Sequence, residues 1–467
     1  MSSSFRFLAC TAALLIAGTS AAQNNWIDRT TPSGPSHRVT PGMTYDPARG
    51  NMVMFGGLQT SPVIAYQNDT WTWDGSAWTQ RTPANSPPGR SDFAMGFDAA
   101  RSRAVIFGGF LNGNSLNDTW EWDGATWAQV VTATQPSPRR DARLTCDPVR
   151  GVMVMFGGLA ATAVNETWEY NGVNWTQVTT AGSPPARMLH GQAFDVARNR
   201  TVIFGGLDSL FGPARGDTWT YDGATWTQVL PATSPSARGW LEMTYDLARG
   251  VTVLFGGTDL GFFPFNFDDT WEWNGTNWSM ATPATVPPSR DSHAIAYDQG
   301  RAKVVIFGGY DASFSGRNDT WEYGSANAAT WFPFGSGCAG SAGVPVLAAS
   351  GTSVPRLNTT LQLTVGNLPP PGVIYMVFGW SNTVWNSLAL PSSLQSFGMP
   401  GCTAFVSVEA GSLIAGSSGT ASWSLFVPNS PALIGTRFFN QAVSIDPAAG
   451  NAGGAVVSNA GQGRVGN

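Results

Sequence analysis

The chain has 467 residues, of which 12% are charged, and its formal net charge is −5. That length accommodates two or three domains with sizeable cores. A net-acidic chain whose single lysine is Lys303 lacks the basic surface that phosphate binding needs, so no nucleic-acid partner and no polybasic membrane contact are expected.

The N-terminus, "MSSSFRFLACTAALLIAGTSAAQ", places Arg6 before an apolar run and small residues at Ser20 and Ala22. This pattern predicts a signal peptide over residues 1–22 and a secreted or extracytoplasmic protein, in the periplasm or at the cell surface. No later run is long and apolar enough to span a bilayer as a helix.

The next segment, around Trp26, takes its meaning from a repeat that occupies the chain beyond it. Phe-Gly-Gly begins at Phe55, Phe107, Phe156, Phe204, Phe255 and Phe307, a period of about 50 residues. Each copy is followed by an acid-Thr-Trp triplet, starting at Asp69, Asp118, Glu166, Asp217, Asp269 and Asp319. Within one copy the first strand ends in an aromatic-Asp pair, as in "AMGFD" (94–98), and an arginine follows three residues later. The second strand is a continuous apolar run such as "VMVMF" (152–156), which must be buried on both faces. The triplet lies on the third strand, and Asp-Gly or Asn-Gly then marks a two-residue hairpin into the fourth. Four antiparallel strands per copy describe a propeller blade.

With these motifs the sequence resembles Kelch-repeat propellers, whose blades pair a double glycine after the second strand with spaced aromatics in the third and fourth. The resemblance covers Trp26 to Trp331 and takes the form seen in secreted bacterial proteins. It implies an all-β chain: a six-bladed Kelch-type β-propeller over residues 23–332 and a small β-sandwich over 333–467. The fourth-strand tryptophan occurs seven times, at Trp26, Trp78, Trp127, Trp175, Trp226, Trp278 and Trp331, against six copies of everything else. Trp26 is therefore a fourth strand without a blade of its own, predicted to join blade six and close the ring. Seven blades would be the alternative.

Beyond Phe334 the repeat stops, and runs such as "TLQLTV" (360–365) and "SWSLFV" (422–427) predict short strands between Gly/Pro/Ser turns. Cys338 and Cys402 are expected to form a disulfide, for which chain-entropy reasoning gives roughly 4 kcal/mol. Cys146 stands where other copies carry Tyr or Phe and is expected to be a buried apolar substitute.

Two sets of residues invite a functional reading. Six arginines, Arg38, Arg90, Arg139, Arg187, Arg238 and Arg290, precede the first strands. A residue present in every blade answers a need of every blade, so structural pairing with the triplet acids is expected. The histidines at 190 and 293 share one repeat position and are expected at the channel mouth. Galactose oxidase, a Kelch-type enzyme, needs histidines, tyrosines and a cross-linked cysteine on its axis; two histidines without a carboxylate or thiolate partner do not supply such a set, so no metal, cofactor or catalytic residue is assigned.

Sameness reports folding, so function is expected where the blades differ: the second-to-third loops. The fifth, "TDLGFFPFNFD" (258–268), and the first, "LQTSPVIAYQN" (58–68), are rich in large apolar residues. The expected binding residues are His190, Trp240, Phe262, Phe263, Phe265 and His293, Trp240 standing beside the channel where other copies carry smaller or polar residues. The expected role is a monomeric, non-enzymatic scaffold for a protein or polysaccharide; a Kelch-type oxidising or carbohydrate-active enzyme, or a structural surface protein, are the alternatives.

Overall fold

The computed structural model describes residues 24–466 apart from 181, 211, 260–265, 326–328, 352, 371 and 387. Six four-stranded antiparallel sheets follow one another. Blade 1 is typical: Gly42–Asp46 is innermost, then Asn51–Phe55, Thr70–Trp73 and Trp78–Arg81. The innermost strands of adjacent blades pack around a central axis. The double glycine ends the second strand with both residues at positive φ, 64° and 96° at Gly56 and Gly57, a turn that a Cβ would oppose.

Blade 6 takes Ala294–Asp298, Lys303–Phe307 and Thr320–Gly324 from the end of the repeat, and its outermost strand, Asn25–Asp28, from the start of the chain. Trp26 pairs with Tyr323 across that closure, is 1% exposed and lies 4.9 Å from the Phe255 ring. Trp331, which the sequence groups with the outermost tryptophans, has another role. Thr330–Phe334 pairs with Ala455–Arg464 in the C-terminal domain, so the boundary falls before Thr330, not at 333. Because the N-terminal strand already fills the outer position of blade 6, no place is left there for Trp331.

The C-terminal domain is a sandwich of a five-stranded and a three-stranded sheet around Trp331, Leu361, Leu363, Ile374, Met376 and Phe438. Cys338 and Cys402 are disulfide bonded, and Cys146 is free. The sandwich rests on the first-to-second turns of blades 1 and 6. Phe332 meets the Tyr45 ring at 6.4 Å, Asn382 donates to the Ala48 carbonyl at 3.0 Å, and Ala48 packs among Phe334, Val377 and Phe405. The opposite face, which carries the second-to-third loops, is left clear of the sandwich.

Candidate functional site

Each repeated motif is satisfied inside the fold. Every ring arginine is 0–1% exposed and pairs with its blade's triplet acid at 2.5–2.7 Å. In blade 4, Arg187 bonds both Asp217 oxygens and donates to the Gly205 and Pro185 carbonyls. The triplet tryptophan returns its indole N–H to the same acid, as Trp219 does to Asp217 at 2.7 Å. The triplet threonine accepts from the neighbouring blade's outermost tryptophan: Trp226 donates to Thr167, Trp278 to Thr218 and Trp26 to Thr270, all at 2.9 Å. The motif is thus a joint within and between blades, its arginine, acid, threonine and tryptophan bonded inside the fold.

Two residues after each ring arginine stand Thr40, Asp92, Asp141, Leu189, Trp240 and Ser292, all non-glycine and all at φ between 48° and 61°. Their backbones are linked blade to blade: Asp141 N–H donates to Asp92, Leu189 to Asp141, Trp240 to Leu189, Ser292 to Trp240 and Thr40 to Ser292, over 2.7–3.1 Å. Six left-handed residues are tolerated because this collar of hydrogen bonds holds them there. Trp240 is one of these collar residues, partly buried against Met188, Leu189 and Leu207.

The histidines are buried instead. His190 and His293 are 0% and 1% exposed, each edge-on to a core phenylalanine, Phe156 and Phe255, at 5.6 Å. They occupy the blade-to-blade position that Phe93 fills against Phe55. Their ring nitrogens make no hydrogen bond; the Gln192 amide approaches His190 without closing one. Burial, with the charges of Arg143 and Arg187, holds His190 well below the usual histidine range. Burial, with Arg290 and Arg143, takes His293 to about 3. The expectation that they line the mouth is corrected: the residue after the collar turns away from the axis and into the joint between blades. Phe262, Phe263 and Phe265 lie outside the described residues.

Below the collar the channel encloses a cavity of about 360 Å³. Four residues after the ring arginines, four blades carry Gly42, Ala94, Gly191 and Ala294, whereas blades 3 and 5 carry Arg143 and Glu242. The small residues have a reason: a Cβ on Gly42 or Gly191 would collide with Met95 or Met243 of the next blade. Arg143 and Glu242 both line the cavity and meet at 2.6 Å. Burial pushes the Glu242 carboxyl up to about 7 against the pull of Arg143. One position on, where other blades carry Met, Leu or Ile, Gln192 donates to the Val154 carbonyl at 2.9 Å. At the collar, burial and then Asp92 push Asp141 well above the carboxylate range, with Arg140 at 3.4 Å pulling against them. Burial also raises Asp291 to about 6. Sequence comparison by sameness passes over Arg143, Glu242 and Gln192; comparing what differs at one register position would have found them.

The loop face is unlike either. Val63, Ile64 and Phe314 are 68%, 72% and 67% exposed. They sit on adjoining loops of blades 1 and 6, which touch where Gly316 passes His37 and Thr60. Tyr66 of blade 1 packs on Phe110 of blade 2 at 6.3 Å, and Arg140 of blade 3 covers that ring at 4.2 Å. The face thus carries an apolar ridge with an aromatic shelf beside it. Among the described residues no group of three or more His, Cys, Asp or Glu side chains is placed to hold a metal ion, and no helix is long and apolar enough to cross a membrane.

Residues 17–206 match the family model of the KLHDC2/KLHL20/DRC7 Kelch-repeats domain. Among solved structures, YjhT aligns with a TM-score of 0.49 at 13% identity, over 62% of this chain and 95% of YjhT. No curated protein matches.

Proposed function

We propose, from the premise that the repeats of this chain form a Kelch-repeat β-propeller, that the protein is a secreted binding scaffold whose loop face recognises a protein partner. The observation that carries this reading is the ridge of Val63, Ile64 and Phe314. Large apolar side chains so exposed, and drawn from adjoining loops, form the kind of patch that marks a partner-contact surface. Repeated residues are used up internally, so recognition falls to the residues in which blades differ. The Tyr66–Phe110 shelf supplies rigid aromatic surface beside the ridge, and Trp240 adds another aromatic ring at the collar.

The test is capture of secreted proteins from the producing cells on immobilised protein, with the bound species identified, alongside a glycan array. The triple variant Val63→Ser, Ile64→Ser, Phe314→Ser should lose the captured protein at least tenfold while its melting temperature stays within about 1 °C. Unchanged capture refutes the face assignment. Specific retention on the glycan array with no protein captured refutes the partner class.

A further inference from the structure

We propose that the axial cavity is a second binding site, separate from the loop face, and that it takes a small uncharged polyol. Its volume of about 360 Å³ falls in the range of small-molecule pockets. It also reaches solvent away from the loops: Val196, on a first-to-second turn, lines it and is 43% exposed. A ligand therefore need not pass the backbone collar.

The lining is chemically specific. An ion pair in an enclosed site is poor evidence of stabilisation, because desolvation offsets its attraction. Arg143 and Glu242 are nonetheless placed at a position where four other blades carry only Gly or Ala. Arg143 Nε makes no hydrogen bond. Leaving such a group unmet is costly, and a bound hydroxyl could accept from it while donating to Glu242. Thr44, Thr145 and Thr244 add three hydroxyls to the same wall.

Charge decides the class of ligand. Glu242 is balanced by Arg143, and Asp141 is paired with Arg140 at 3.4 Å. Asp92, beside Asp141 at the top of the cavity, takes the Ser91 hydroxyl at 2.5 Å. The charged groups left to face a ligand below the collar are the Arg143–Glu242 pair, whose charges balance. A carboxylate or an amine would then bring an uncompensated charge into an enclosed site, whereas hydroxyl groups can donate to Glu242 and accept from Arg143 at no such cost.

The experiment compares D-glucose, D-gluconate and D-glucosamine, similar in size but neutral, anionic and cationic, by calorimetry and saturation-transfer NMR on the intact protein. Glucose should bind at least tenfold more tightly than either charged probe. In Glu242→Gln, which leaves Arg143 unbalanced, gluconate should overtake glucose. Absence of binding by all three, equal binding of a charged probe to the wild type, or an unchanged order in Glu242→Gln overturns the proposal. Should Glu242→Gln not fold, Arg143→Met with Glu242→Leu keeps the bulk and removes the polar groups. Glucose binding must then fall more than tenfold, and its retention is equally fatal.

Discussion

Replacing Arg187 by Met separates a structural joint from a ligand-binding arginine. The side chain is fully buried and makes two bonds to Asp217, at 2.7 Å each, and one each to the carbonyls of Gly205 and Pro185. Methionine keeps the bulk and strands the carboxylate. Breaking a buried pair from one side costs roughly 3–5 kcal/mol; Asp217 is 19% exposed, which favours the lower end, about 3 kcal/mol. With an unfolding entropy near 2.1 cal/mol/K per residue over roughly 300 residues, the melting temperature should fall by about 5 °C. Asp217→Leu in the same chain should recover part of the loss, since it removes the stranded charge. Calorimetry on the three variants decides the matter. The wild type adds a check through pH. Burial pushes the Asp217 carboxyl up, but Arg187 and Trp219 outweigh it and the net shift is downward. Its stabilisation is therefore present above the unfolded value near 3.9 and is lost as pH falls through the lower folded value. Arg187→Met should lose most of its deficit relative to wild type in strong acid. A shift under 1 °C at neutral pH, or a deficit independent of pH, refutes the pairing as the reason for the arginine ring.

His190→Phe places the ring that blade 2 already uses at this position and removes two unbonded nitrogens, so stability should rise by about 1 kcal/mol. Because the folded histidine resists protonation, the wild type loses stability as pH falls below about 6.5; the variant's advantage should be larger at pH 5 than at pH 8 by thermal denaturation, and the reverse order refutes it. Asp291→Asn carries the opposite sign. A carboxyl raised to about 6 by burial stabilises least above that pH, so the variant's gain should be larger at pH 8 than at pH 5. Trp26→Ala removes a 1%-exposed ring and the closure contacts with Phe255 and Tyr323, and should cost about 3–5 kcal/mol in denaturant titration. Replacing both Cys338 and Cys402 by Ser should destabilise the sandwich by roughly 4 kcal/mol, and an unchanged unfolding midpoint for that domain counts against the loop-entropy reasoning.

The repeat, its strands, the ring closure through Trp26 and the pairing of ring arginines with triplet acids were all legible in the sequence. Each is a local pattern multiplied six times, and a pattern repeated at one spacing has to solve the same contact in every blade. The alternation that puts the starts of first and third strands on one face suffices to bring Arg187 to Asp217. What the sequence could not decide is where a side chain points once neighbouring blades crowd it. His190 and Trp240 stand in equivalent stretches, three and two residues after a ring arginine. The left-handed backbone holds Trp240 in the collar and turns the next position into the blade joint, so His190 is buried. Trp331 matches the outer-strand tryptophans in its surroundings, yet Asn25–Asp28 had already filled that edge, and the segment pairs with the C-terminal sheet instead. Arg143 and Glu242 belong to different blades, 99 positions apart, and only closure of the ring around a shared axis brings them to 2.6 Å. Contacts of that kind depend on the number of blades and the diameter of the channel, which are properties of the assembled ring and of no single repeat.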